Sequence, residues 1–122
     1  MENVLYDKAE DFAVRIDKLC NYLTESTKCR YALIDQIFRC GTSIGANIAE
    51  AQSSQSDADM IAKFYVARRE ANETRFWLRL LLRCGYLEEK LTQSFINDCE
   101  EIIKILIASI KTLNFKKQQK AK

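Results

Sequence analysis

Apolar residues recur along this chain at alternating spacings of three and four, the period of one face of an α-helix. From Leu5 they run through Ala9, Phe12, Ile16, Leu19 with Cys20, and Leu23, which predicts a first helix over Asn3 to Leu23. The polar stretch Thr24-Glu25-Ser26-Thr27-Lys28 breaks the period, and Ile34, Ile37, Gly41, Ile44, Ile48 and Ala51 resume it as a second helix. Ser53-Ser54-Gln55-Ser56 interrupts again, and Ser56 with Asp59 has the form of a capping pair that opens a third helix. Its inward stripe is expected at Met60, Phe64, Ala67, Ala71, Thr74, Leu78 and Leu81, and Gly85 suits the left-handed position after the last turn. A fourth helix is expected from Thr92 to Leu113, with Phe95, Ile96, Cys99, Ile103, Leu106, Ile110 and Leu113 inward. Its β-branched run Ile102–Ile110 lacks the two-residue alternation of a strand, so the helix is preferred. Four helices with short connections give an all-α, up-down-up-down antiparallel bundle over residues 1–115. Residues 116–122, carrying Lys116, Lys117, Lys120 and Lys122, are expected as a frayed basic tail.

The segment Arg39–Gln52, RCGTSIGANIAEAQ, holds two of the three glycines in the chain. On a helix, Gly41, Gly45 and Ala49 stand four residues apart and leave one edge nearly bare. Glycine in a helix costs ~1 kcal/mol relative to alanine, so two of them make sense where another helix packs against that edge. A phosphate cradle is the rival reading, but a P-loop needs a lysine and a glycine-rich turn after a strand, and neither is present. The other flank carries Arg39, Ser43, Asn47 and Glu50, which with Glu70 and Glu73 of helix three form a polar seam beside the core.

At 122 residues, with no proline, the chain fits a single helical domain. No apolar run approaches the roughly 20 residues that span a bilayer. The opening MENVLYDKAEDF is acidic and polar, unlike a signal peptide, so a cytoplasmic location with no membrane association is expected. There is no histidine, which removes His-based triads and the Glu-x-x-His pairs of di-iron bundles. Of the five cysteines, Cys20, Cys40, Cys84 and Cys99 fall at helical apolar positions and are expected to be buried, while Cys29 sits in a loop. No C-x-x-C pair suggests zinc or a redox dithiol.

Helix three carries the most distinctive charge pattern. Arg68, Arg75, Arg79 and Arg83 return to one sector of the helix and form a stripe, with Lys63 and Arg69 nearby. Phe76, Trp77, Leu78, Leu80, Leu81 and Leu82 cover nearly every other direction, which is more apolar surface than one side of a bundle buries. Self-association is therefore expected. The arginines either pair with carboxylates, Arg75 with Glu50 or Glu73, or contact phosphates together with Lys63, Arg69 and the lysine tail. Phe76 and Trp77 sit at core spacing, which argues against base stacking. The net charge of +2 is below that of a strongly basic nucleic-acid binder. Glu50, Glu70 and Glu73 could hold a hard cation, but interleaved arginines favour ion pairing. No metal, cofactor or catalytic residue is assigned.

Arg39–Gln52, and Glu70–Leu82 (EANETRFWLRLLL), resemble the two signature segments of the four-helix-bundle family named after proteins encoded by intervening sequences in bacterial 23S ribosomal RNA genes. The resemblance spans nearly the whole chain in helix order, with Cys40 where the family commonly has serine. That family is also similar to the accessory proteins of diversity-generating retroelements, which form pentameric rings and bind nucleic acid and a reverse transcriptase. The resemblance thus implies the bundle fold, a homo-oligomer of five copies and RNA or DNA as a partner, with no established enzymatic activity. The expected function is that of a non-enzymatic oligomeric interaction protein, a nucleic-acid-associated accessory factor. The alternative is a scaffold that binds another protein without nucleic acid.

Overall fold

The computed structural model describes residues 3–121. It contains α1 (Val4–Ser26), α2 (Tyr31–Gln52), α3 (Asp57–Arg83) and α4 (Glu89–Ala121), and no strand occurs among the described residues. Side chains cap the starts of α1 and α3, whereas Arg30 before α2 provides no side-chain cap. The Asn3 side chain accepts from the Tyr6 amide to open α1, and Ser56 accepts from the Asp59 amide to open α3. At the end of α3 the Tyr86 amide donates to Leu81 O and the Gly85 amide to Leu82 O, a Schellman closure. Gly85 takes φ +80° there, which a residue with a Cβ rarely adopts.

The helices pack in a square. α1 lies on α2, α2 on α3, α3 on α4 and α4 back on α1, with no backbone contact across the diagonals. The register is antiparallel, since Lys8 meets Glu101 while Arg15 meets Asp98. The core runs through all four helices and includes Phe12, Ile16, Ile37, Ile44, Leu78, Leu81, Ile102 and Leu106, all essentially without solvent access. Buried Thr74 and Thr92 donate to the carbonyls of Glu70 and Glu88 one turn back, which satisfies their hydroxyls inside the core.

The edge without side chains on α2 faces α1. A Cβ on Gly41 would stand 2.8 Å from Ile16 Cγ1 and 3.0 Å from Cγ2, so the glycine leaves the hole that Ile16 fills. A Cβ on Gly45 would stand 3.5 Å from Ala9 O and 3.7 Å from Ala9 Cβ, which is ordinary contact with the α1 backbone. Ala49, the third small residue, is half-buried.

Four boundaries or faces differ from those expected, the first being the end of α1, which runs past Leu23 through Thr24 and Glu25 to Ser26. At the start of α3, Ile61 is buried and Met60 only partly so, a rotation of one position in the first turn. α4 also buries Thr92 and Ile102 beyond the expected stripe. It begins at Glu89 and runs to Ala121, because nothing after Leu113 stops it and Lys, Gln and Ala favour helix. Residues 116–121 therefore continue α4, and Lys120 pairs with Asp57 at the start of α3 at 3.0 Å. Lys122 lies outside the described residues.

The glycine edge makes a graded prediction. Gly45→Ala should be neutral or stabilising by up to ~1 kcal/mol from helix propensity, because its Cβ meets only ordinary contacts. Gly45→Leu should cost ~1–3 kcal/mol by overpacking. Gly41→Ala should lose stability despite the better helix former, since the branched carbons of Ile16 have to move. Chemical-denaturation midpoints for the three variants check the order.

Candidate nucleic-acid interface

α3 presents its outward side through residues that lie opposite the inward stripe. At about 3.6 residues per turn, Tyr65, Arg69, Phe76, Arg79 and Arg83 fall within about 80° of one another around the axis. All five are exposed. Tyr65 is 48% accessible and Phe76 58%, so both rings stand in water rather than in the core. The expectation that Phe76 belongs to the core fails for a clear reason. Leu78 and Leu81 already occupy the inward positions, and the next residues round the helix must point away.

Phe76 has an aromatic neighbour. The Trp77 ring meets it edge-on with centroids 5.0 Å apart at 73°, and Trp77 is itself partly buried and donates from Nε1 to Glu73 Oε1 at 3.2 Å. Next to Phe76 a groove of about 540 Å³ opens between α3 and the start of α4. Phe76, Arg79, Leu82 and Arg83 line it from α3, and Gln93 and Ile96 from α4. Glu89 also lines this groove but forms no ion pair with either arginine.

The other predicted site residues separate into paired and unpaired groups. Arg75 leaves the stripe and reaches α4, with NH1 3.4 Å from Glu100 Oε2 and NH2 donating to Asn72 Oδ1 at 3.0 Å. The expected partners Glu50 and Glu73 are engaged elsewhere, Glu50 with Lys63 at 3.5 Å and Glu73 with Trp77. Among the described residues, Arg68, Arg69, Arg79 and Arg83 make no ion pair. The lysine tail does not join them. It lies at the Asp57 end of α3, and Asp57 to Arg83 spans roughly 39 Å of helix.

The polar seam is structural in its bonding. Ser43 donates to Arg39 O at 2.6 Å, Asn47 to Ser43 O at 2.8 Å, and Arg39 to Gln36 Oε1, all within α2. Glu70 Oε2 is buried without a hydrogen-bond partner, and nothing in the structure accounts for it. Glu50, Glu70 and Glu73 do not converge, and no cluster of three Cys, Asp or Glu side chains able to hold a metal ion occurs among the described residues.

Tyr65 was legible in principle. It follows inward Phe64, and its spacing to Arg69 and Phe76 places all three on one line, but the arginines alone carried the sequence signal.

The cysteines divide by burial. Cys20, Cys40 and Cys99 are buried, and burial pushes their thiols up to about 11, about 11 and about 12. Cys40 Sγ sits 3.1 Å from Thr74 Oγ1, a contact that pulls its thiol back slightly. Cys84 is exposed, contrary to expectation, because it caps α3 at the end of the bundle where the helix meets solvent. Cys29 is half-buried in the α1–α2 connection, and its thiol is also raised, chiefly by burial.

Fold and surface together define a helical bundle without a described metal cluster, with a basic and aromatic outer helix face. The chain belongs to the 23S rRNA-intervening sequence protein family, whose model matches residues 1–108. It is similar to a Bacteroides thetaiotaomicron protein with unknown function from the S23 ribosomal protein family, known from its crystal structure. The two are 48% identical, the match covers 88% of this chain and 99% of that one, and the TM-score is 0.86. No curated protein matches the chain. No helix is long and apolar enough to cross a membrane among the described residues.

Because the thiolate is the reactive form, native protein at about pH 8 should release chromophore from a disulfide reagent at Cys84 first and Cys29 more slowly. Cys20, Cys40 and Cys99 should react only after denaturant is added. Absorbance titration of native and unfolded samples, with Cys84→Ser to assign the fast phase, checks this.

Proposed function

We propose that this protein is a non-enzymatic, oligomeric interaction protein that associates with nucleic acid through the outward arginines of α3. The observation that carries the reading is the set Arg68, Arg69, Arg79 and Arg83, which lie on one helix and have no carboxylate partner among the described residues. Guanidinium groups left unpaired on one side suit phosphate, which they bind in bidentate fashion. The lack of histidine supports a non-enzymatic role. The similarity of the family to retroelement accessory proteins supports a ring of five copies, and a cytoplasmic location is part of the same proposal.

A scaffold for another protein is the second reading. Apolar rings left in water away from the arginines favour it, chiefly Tyr31 and Phe38, which share one line of α2, and Phe115 on α4.

Two measurements test the proposal. Labelled nucleic acid should bind with an affinity that falls steeply with salt, and Arg79→Gln or Arg83→Gln should each flatten the log–log slope by about one unit. Absence of binding at low salt defeats the nucleic-acid reading and leaves the scaffold. Light scattering at micromolar concentration should give five times the chain mass of 14.1 kDa, and a monomer mass rejects the assembly.

A further inference from the structure

We infer that the outward face of α3 is a track for unpaired nucleic acid, on which Tyr65 and Phe76 stack bases while Arg69, Arg79 and Arg83 hold the phosphates between and beyond them. The inference rests on the nucleic-acid reading above and narrows its ligand to single strands.

A helix that only touches phosphates along a duplex has no use for solvated aromatic side chains, since the bases of a duplex are stacked on each other. Single-strand sites combine a positive track with aromatic faces on which successive bases stack. α3 has both, in alternation. Tyr65 and Phe76 lie on one line about 16 Å apart along the axis, Arg69 stands between them and Arg79 and Arg83 follow. Both rings are exposed, so a base can reach them.

Phe76 is the better formed of the two positions. The Trp77 ring stands beside it, T-shaped at 5.0 Å, and extends its aromatic surface. The groove beside it has apolar walls from Leu82 and Ile96, the cations of Arg79 and Arg83, and the amide of Gln93, whose Nε2 donates to Asn97 Oδ1 at 2.9 Å. The Gln93 carbonyl oxygen makes no hydrogen bond among the described residues, which leaves an acceptor for a base edge. A base splayed out of a strand would find a ring to stack on, a polar group to meet and a guanidinium for its phosphate. Charge complementarity selects this occupant over a second copy of the chain, because an apolar contact between copies would have to bury unpaired arginines.

The experiment is fluorescence anisotropy with the full-length protein, a labelled oligouridylate of about 12 nucleotides and a duplex of equal length. Tyr65→Leu and Phe76→Leu keep apolar bulk and remove the ring, and both positions are exposed, so folding should survive. The expected result is tighter binding of the single strand, weakened about 5- to 150-fold by each substitution, with salt slope and oligomeric mass unchanged. Equal affinity for single strand and duplex, unaffected by loss of either ring, overturns the stacking track while the phosphate reading stands. No binding of either probe at low salt removes the underlying reading and the track with it. A fall in oligomeric mass on Phe76→Leu identifies the face as a contact between copies and likewise overturns the inference.

Discussion

The distance between α1 and α2 is set by two missing side chains, and the rest of the bundle is arranged around that close approach. Gly41 admits Ile16 and Gly45 admits the backbone at Ala9. Each glycine gives up ~1 kcal/mol of helix propensity, but the hole at Gly41 lets Ile16 bury completely, and burying such a side chain contributes ~1.5–3 kcal/mol. On its other flank α2 meets α3 through further small residues, with Cys40 against Thr74. Three adjacent pairs, α1 with α2, α2 with α3 and α3 with α4, are thus close at the level of the backbone. α4 fills the remaining side with larger groups, Phe95, Ile102, Ile103 and Leu106, and α1 and α4 stay farther apart. Long side chains bridge them. Phe12 meets Phe95 edge-on at 6.3 Å, and Arg15 lies 4.0 Å over the Phe95 ring while binding Asp98 and Ser94.

Hydrophobic spacing discloses which residues share a helix face, and it did so for α1 and α2 almost residue by residue. It loses contrast where every direction is apolar. From Phe76 to Leu82 in α3 only Arg79 is polar, so the sequence could not separate outward Phe76 from inward Leu78. Spacing is also silent about the neighbouring helix. It places Arg75 on a side of α3 but not opposite Glu100, because the register of α4 against α3 is set by packing across the whole bundle. The same holds for Cys84, whose apolar period is genuine but which falls at the last turn, beyond the end of the core.

Net charge is a poor guide to this surface because it averages over neutralised and free groups. Lys8, Arg15, Lys63, Arg75 and Lys120 each meet a carboxylate, and so contribute little field at a distance. Among the described residues the cations left without a carboxylate include Arg68, Arg69, Arg79 and Arg83 on α3 and Lys90, Lys104, Lys111, Lys116 and Lys117 on α4. The local potential of such groups steers association even when the total is only +2. The separation of the lysine-rich end of α4 from Arg83 by the length of α3 further divides the positive charge into two places with different surroundings.

The seam between α1 and α4, the one with the least backbone contact, has a consequence for how the chain reaches its native state. Every other helix contact joins neighbours in sequence, so each can form as a local hairpin with little loop entropy lost. The α1–α4 bridges instead link residues as far apart as Lys8 and Glu101. Closure of the square is thus the one step of high contact order, and it is also the step with least backbone contact to reward it. A topology so dominated by local contacts belongs with bundles that fold in roughly microseconds to milliseconds. It also makes the first helix the part of the fold whose release would disturb the fewest backbone contacts.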